Sequence, residues 1–325
     1  MKKLLLSIVL LLVAAVLGGV GYLFLRKPAM AEPSRVKVEA TPERLARGKY
    51  VFESLADCGG CHSERDLSKF GGPVVPSGLG KGWVIPPELG LPGQINASNI
   101  TTDPETGIGR WTDGEKIRAI REGVDKDGRA LFPMMPYQFY SHMSDEDVYA
   151  VVAYLNSLPP IKNYVARSNV DFPVNLLMVS APKPVAGPVA QPDTNNPERY
   201  GEYLVYLGGC LDCHTLMEKG DYRQDMLYAG GREFRLGKFQ VNSANITPDP
   251  ETGIGAWTEE RFIKQFRDYN RFAAGSELPT ATQANFTIMP WLNWCNRPEA
   301  ELKAIFAYLR TLKPIRNPVN KHPEV

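Results

Sequence analysis

The longest unbroken apolar run of the chain lies at its start. Lys2 and Lys3 precede it, it extends from Leu4 to Leu25, and Arg26 and Lys27 close it. About 22 residues of helix rise roughly 33 Å, enough to cross a bilayer. The run has no polar face, which argues against a buried core helix. Beyond it the pattern becomes amphipathic and interrupted. Thr41-Pro42-Glu43 predicts a helix start, with a capping hydroxyl followed by proline where no amide hydrogen is needed. Leu45, Tyr50, Val51 and Leu55 give that helix an apolar side as it runs into Cys58. Residues 66–98 are rich in glycine and proline and predict loop. Thr112 with Glu115 forms a capping box opening a helix through Ile117, Ile120 and Arg121. Ser144-Asp145-Glu146-Asp147 opens another, with Val148, Val151, Val152, Leu155 and Leu158 at helical spacing and Pro159-Pro160 as its stop. From Pro159 to Pro197 the chain is proline-rich and aperiodic, too long for an ordinary connection within a domain. Its Phe172, Leu176, Leu177 and Met178 predict a strap lying along both flanking regions rather than a free linker. Ala31 to Ala40 reads as a short polar tether.

The pattern then recurs. Asn196-Pro197-Glu198 repeats the helix start, and Leu204, Tyr206 and Leu207 lead into Cys210. Asn245-Ile246-Thr247-Pro248-Asp249-Pro250-Glu251-Thr252-Gly253-Ile254-Gly255-Ala256-Trp257 matches the stretch from Asn99 to Trp111 almost residue for residue. Ala307-Tyr308-Leu309 repeats Ala153-Tyr154-Leu155 at an offset of 154 residues. The chain is therefore an internal duplication.

Composition narrows the classes. The 325 residues suffice for two domains, each with its own core. With 37 basic and 36 acidic side chains the net charge is +1, which leaves no basic footprint for nucleic acid. Hydrophobic residues make up 43%, as in globular rather than disordered chains. Four of the five cysteines fall in two short motifs, and Cys295 stands alone. A disulfide framework is not expected, and Cys295 reads as a small buried apolar residue.

The two motifs carry the chemistry. Cys58-Gly59-Gly60-Cys61-His62 and Cys210-Leu211-Asp212-Cys213-His214 are both CxxCH, the pattern of c-type haem attachment. Each thiol adds to one haem vinyl group, and the imidazole that follows lies beneath the iron. A redox dithiol or a half zinc site explains one such motif but not two in matching surroundings. The opposite axial position calls for a second ligand, often methionine sulfur. Met134-Met135-Pro136 offers two candidates, and the offset of 154 places Met289-Pro290 on Met135-Pro136 and Ile288 on Met134. Met135 and Met289 are the expected pair. The metal-binding set is thus His62, Met135, His214 and Met289, holding two haem irons. Trp111 and Trp257 are placed alike and could meet a haem propionate or simply pack. His142 reads as a loop histidine before a helix cap. Asp125-Lys126-Asp127-Gly128 lacks the later glutamate of a calcium loop and reads as a polar turn. Asn99-Ile100-Thr101 matches a glycosylation acceptor without functional weight.

At this point the residues carry a resemblance. CGGCH and CLDCH, each followed by NIT-x-DPETGIG-x-W, a Met-Pro pair and an AYL helix, resemble tandem class I cytochrome c domains. More narrowly, residues 41 to 317 are similar to the cytochrome subunits of membrane-bound bacterial dehydrogenases for alcohols, gluconate and aldehydes. The resemblance implies a mainly α fold of two cytochrome c domains with long loops. It also implies electron relay from a dehydrogenase toward quinone, an oxidase or a small cytochrome. Those subunits often carry three such domains, whereas this chain has two. The expected layout is an anchor or signal segment over 1–31, domains over 41–160 and 196–317, and the strap over 161–195. Haem attachment in bacteria takes place outside the cytoplasmic membrane, so the body is expected in the periplasm, with the N-terminal helix retained as an anchor. Ala29-Met30-Ala31 leaves cleavage, and a soluble product, as the alternative. Electron transfer rather than catalysis is expected, because two axial side chains leave iron no vacancy. A dihaem peroxidase with a displaceable ligand and a gas-sensing module are the rivals.

Overall fold

The computed structural model describes residues 2–218, 220–273 and 277–324. Helix α1, Lys2–Leu25, is the apolar run, and its most apolar stretch is buried against nothing. The body begins with α2, Pro42–Tyr50, capped by Thr41 Oγ accepting from the Arg44 amide. After α3, Cys58–His62, come α4, Asp113–Glu122, α5, Tyr137–Tyr140, and α6, Asp145–Ser157. The capping box at α4 forms as its spacing requires: Thr112 Oγ accepts from the Glu115 amide, and the Glu115 carboxylate accepts from the Thr112 amide at 2.7 Å. Ser144 caps α6. A short α7, Val174–Leu177, lies in the strap.

The second half repeats the plan with α8, Pro197–Leu207, α9, Cys210–Cys213, α10, Glu259–Arg267, α11, Asn270–Ala273, α12, Trp291–Trp294, and α13, Glu299–Thr311. Asn196 and Thr258 cap α8 and α10. In each half the entering helix crosses the closing helix at a glycine. A Cβ on Gly48 would lie 1.9 Å from the Ala150 carbonyl oxygen, and one on Gly201 would lie 1.9 Å from that of Ala304. Only a bare Cα permits backbones this close.

The halves differ by one residue just before the first cysteine: Tyr50 and Tyr203 are 153 apart, Cys58 and Cys210 are 152 apart. The first half absorbs its extra residue as a π-turn over Val51–Leu55, where the Ala56 amide reaches back to Val51 O. In the second half Gly208 bonds Leu204 O in ordinary α fashion. A π-turn lets an insertion pass without breaking the helix.

The halves pack on each other through a pseudo-two-fold set of contacts. Tyr50 donates to Glu301, and its counterpart Tyr203 donates to Asp147, the counterpart of Glu301, at 2.7 Å. Arg47 grips Asp147 within the first half, and Tyr200 donates to Glu301 within the second. Around this polar seam the buried apolar side chains of both halves, from Val51 and Phe52 to Leu302 and Leu309, form one continuous cluster.

Three segments differ from their sequence reading. Residues 66–98 hold short 3-10 turns and a strand pair, Trp83–Val84 with Asn96–Ala97, over a small cluster of Ile85 and Ile95. In the second half Glu233–Leu236 and Phe239–Asn242 form a hairpin, and its four-residue strands alternate polar and apolar side chains, Phe234 and Leu236 on one and Phe239 and Val241 on the other. The strap does not lie along both halves. Through residue 189 its hydrogen bonds run to the first half and to Arg26: Asn169–Val170 pairs with Gly93–Gln94, and the Val185 and Val189 amides donate to Glu122 and Asp145. Of its apolar side chains Leu176 and Met178 are half-buried, while Phe172 is 74% and Leu177 64% exposed. The tether after α1 is likewise seated. Pro28 is buried, Val38 N donates to Asp113 at 2.8 Å, and Ser34 O lies so close to Gly114 that a Cβ there would stand 1.9 Å away.

Candidate functional site

Each CxxCH motif sits on a turn of helix entered through a left-handed residue. Asp57, at φ 46°, precedes α3, and Gly209, at φ 63°, precedes α9. Glycine adopts this conformation without strain, and aspartate reaches it through a local hydrogen bond, here from the Gly60 amide at 3.1 Å. Side chains three apart on a helix share a face, so the paired thiols of each motif present to one side.

The histidines are oriented identically. His62 Nδ1 lies 2.8 Å from Ser98 O, and His214 Nδ1 lies 2.7 Å from Ala244 O. A carbonyl can only accept, so Nδ1 carries the hydrogen and Nε2 keeps its lone pair for a ligand. Burial lowers both imidazole pKa values, which holds the rings neutral.

The orienting carbonyls explain the repeated NIT-x-DPETGIG stretch, because Ser98 and Ala244 immediately precede Asn99 and Asn245. Asn99 Nδ2 donates to Ile161 O at 2.8 Å and Thr106 Oγ at 3.1 Å, while its Oδ1 accepts from the Thr101 amide and hydroxyl. Asn245 repeats this with Ile315 O at 2.8 Å, Thr252 and Thr247. Both amides are spent tying the loop to the chain beyond the closing helix. The loop in turn holds the carbonyl that aims the histidine.

The thiols are desolvated by the protein around them. Cys61 is exposed, yet desolvation by surrounding protein pushes its pKa up to about 11. The same cause raises Cys210 to about 11 and Cys213 to about 12, and raises Cys58 as well.

Met135 and Met289 occupy matching turns. Pro136 and Pro290 share backbone angles, φ −83° with ψ 46° and φ −76° with ψ 54°. The amides of Tyr137 and Trp291 close each turn on Met135 O and Met289 O, at 2.8 and 2.7 Å. Both methionine side chains are half-buried against the core cluster that also takes Cys58, Trp111 and Trp257, whereas Met134 is exposed. No protein acceptor meets the indole N–H of Trp111 or Trp257 among the described residues. Two thiols on one face, an imidazole with a free Nε2 and a half-buried methionine on the shared core are the donor types a covalently attached haem needs, and each half supplies the set.

The other sequence candidates resolve plainly. His142 is exposed and meets Tyr206 in a tilted ring contact, with centroids 5.2 Å apart. Asp125 is consumed by the amides of Asp127 and Arg129 and by the Arg129 guanidinium, as a polar turn requires. No group of acidic, cysteine and histidine side chains among the described residues could hold a separate metal ion. Cys295 is buried, its thiol donating to Leu292 O. Sequence reasoning missed Arg297. It is fully buried between the halves, stacks 3.6 Å from the Trp294 ring centre and donates to Ser54 O and Leu55 O just ahead of the first motif. Its counterpart at the offset of 154 is Met143, so the repeat gave no sign of a cation there.

Comparison with known proteins agrees with this geometry. Residues 45–159 match the family described as Cytochrome c. The chain is 29% identical over 294 residues to the cytochrome c subunit of the quinone alcohol dehydrogenase of Gluconacetobacter polyoxogenes, covering 85% of this chain and 58% of that one. It is 31% identical over 247 residues to the gluconate 2-dehydrogenase cytochrome c subunit of Pantoea cypripedii, covering 72% and 52%. A diheme cytochrome c-type protein of Cereibacter sphaeroides is 27% identical over 316 residues, covering 94% and 97%. The chain thus spans little more than half the length of the dehydrogenase subunits it matches. Residues 45–159 are a cytochrome c domain, and the chain as a whole is a relative of dehydrogenase cytochrome c subunits and of a diheme cytochrome c.

Proposed function

We propose that the chain is a dihaem c-type cytochrome that relays single electrons between a dehydrogenase and the respiratory chain. It would do so at the periplasmic face of the cytoplasmic membrane, with α1 as anchor. The carrying observation is that the donor set is duplicated down to the carbonyl that orients each histidine. On this reading the domains span 41–160 and 196–317. Cys58 and Cys61, and Cys210 and Cys213, hold the two haems by thioether bonds. His62 with Met135, and His214 with Met289, supply the axial side chains. When bound, each haem supplies an iron that alternates between ferrous and ferric. The chain's residues do the rest. The Ser98 and Ala244 carbonyls keep the imidazoles neutral and aimed, methionine sulfur favours the ferrous form, and the shared core limits rearrangement. Two axial side chains per site leave no open position, which counts against a peroxidase. Relatives named as subunits of alcohol and gluconate dehydrogenases support a dehydrogenase as donor.

The test is an intact mass with spectra of the ferric and ferrous protein. Two added haems and a wholly low-spin ferric spectrum are expected. Met135→Ala and Met289→Ala should each turn one haem high-spin without losing it. A mass with fewer than two haems, or a high-spin resting protein that binds carbon monoxide readily, overturns the proposal.

A further inference from the structure

We infer that Phe172 and Leu177, with the turn of helix between them, form a second membrane contact that lies in the headgroup region of a phospholipid bilayer. The inference rests on α1 being a retained anchor. Its starting point is an apolar pair that packing does not explain. Outside α1 the most exposed large apolar side chains are Tyr164 at 81%, Phe172 at 74% and Leu177 at 64%. Isolated exposed residues are ordinary. Phe172 lies two residues before the four-residue helix α7 and Leu177 is its last residue, and that helix is joined to the end of the anchor. Arg26, the first residue beyond α1, donates its guanidinium to Leu176 O.

That bond sets the height of the pair. Leu25 ends the apolar run at 82% exposure, so Arg26 marks the level at which the chain would leave hydrocarbon. The body cannot swing away from that level on a loose tether. Past Arg26 the chain is pinned to the first half by buried Pro28, by Arg118 donating to Ala31 O at 3.4 Å, by the close pass of Ser34 over Gly114 and by Val38 on Asp113. A bilayer around α1 therefore meets α7. Phenylalanine and leucine gain by leaving water there, and Arg26 and Lys27 suit lipid phosphates. Exposed Asp171 adjoins Phe172, and its charge favours the headgroup zone over deeper insertion.

The test uses the full-length haem-loaded protein in phosphatidylcholine–phosphatidylglycerol vesicles. A nitroxide is placed at Leu177→Cys and, as control, at Tyr164→Cys. Cys295 is buried and escapes labelling. The 177 label should collide with oxygen in preference to a water-soluble nickel chelate, with a ratio several-fold above that of the 164 label. Phe172→Glu should lower the ratio at 177 toward the control. Equal ratios at the two sites overturn the inference. An intact mass on the same sample separates this from the anchor reading. Residues 1–31 present with a water-exposed 177 label refutes the contact alone. Residues 1–31 missing with a lipid-exposed label refutes the anchor and upholds the contact. Loss of both refutes both.

Discussion

Gly201→Ala tests the packing on which the second site depends. The added Cβ would stand 1.9 Å from the Ala304 carbonyl oxygen, 2.5 Å from its carbon and 2.9 Å from Tyr308 Cβ. Carbon and carbonyl oxygen in close contact sit about 3.3 Å apart, so α8 and α13 must separate by about 1.4 Å. The obstacle is backbone on both sides, so no side-chain rotation relieves it. A gap of about 1 Å already forfeits up to half of the attraction between facing atoms, and this crossing carries Leu204, Leu207, Leu302 and Ile305. Overpacking of this kind costs about 3 kcal/mol or more. The better helix propensity of alanine returns at most about 1 kcal/mol. The net loss should lower the melting temperature by roughly 5 °C, followed by far-ultraviolet dichroism and haem absorbance together. Because α8 runs into Cys210 and α13 closes the half after Met289, the variant should also weaken the methionine-to-ferric-iron charge-transfer band. Gly48→Ala, 1.9 Å from Ala150 O, should behave alike in the first half. A melting temperature within about 2 °C of the parent would refute the reasoning.

Asn245→Ala unties the loop that aims His214, leaving the Thr247 amide without its partner and the Ile315 carbonyl with only the Thr247 hydroxyl at 3.2 Å. A loss of about 2–4 kcal/mol in urea unfolding is expected, with Asn99→Ala matching it. Asp57 is a carboxylate whose pKa burial pushes up to about 6 from 3.8. The folded state therefore keeps a proton that the unfolded chain releases, and stability drains as pH rises through that window. Asp57→Asn, which keeps the left-handed conformation and the bond from Gly60, should remove the slope. Its stability over the parent should be nil near pH 4 and grow to at most about 3 kcal/mol by pH 7, as read from unfolding midpoints across pH. Arg297→Met, the residue its counterpart carries, strips Ser54 O and Leu55 O of a donor and Glu301 of a cation 3.6 Å away. It should cost about 2–4 kcal/mol in the same assay, less than a lone ion pair because Tyr50, Tyr200 and Arg47 still face Glu301.

Much of the local architecture was legible because it depends on neighbours in sequence. The caps at Thr41, Thr112, Ser144 and Asn196 all form as their spacing requires. In the strap the apolar residues divide: Leu176 and Met178 are half-buried while Phe172 and Leu177 face outward, and backbone bonds tie the segment to the first half. The hairpin over 233–242 does alternate, with Phe234, Leu236, Phe239 and Val241 against polar neighbours, but each strand is only four residues long, too short a window for the period to stand out.

By itself the sequence determined the two CxxCH motifs and their duplication, and it singled out Met135 over Met134 as the proposed ligand. Covalent attachment demands contiguous residue types, and a repeat compares positions without reference to shape. Only the tertiary structure decided what aims the histidines, because a carbonyl oxygen is common to every residue and leaves no mark in composition. It alone decided that the extra residue before Cys58 becomes a π-turn and that both halves share one core. It also placed Arg297 at their seam. Each of these depends on groups brought together from distant parts of the chain, where spacing along the sequence carries no distance in space.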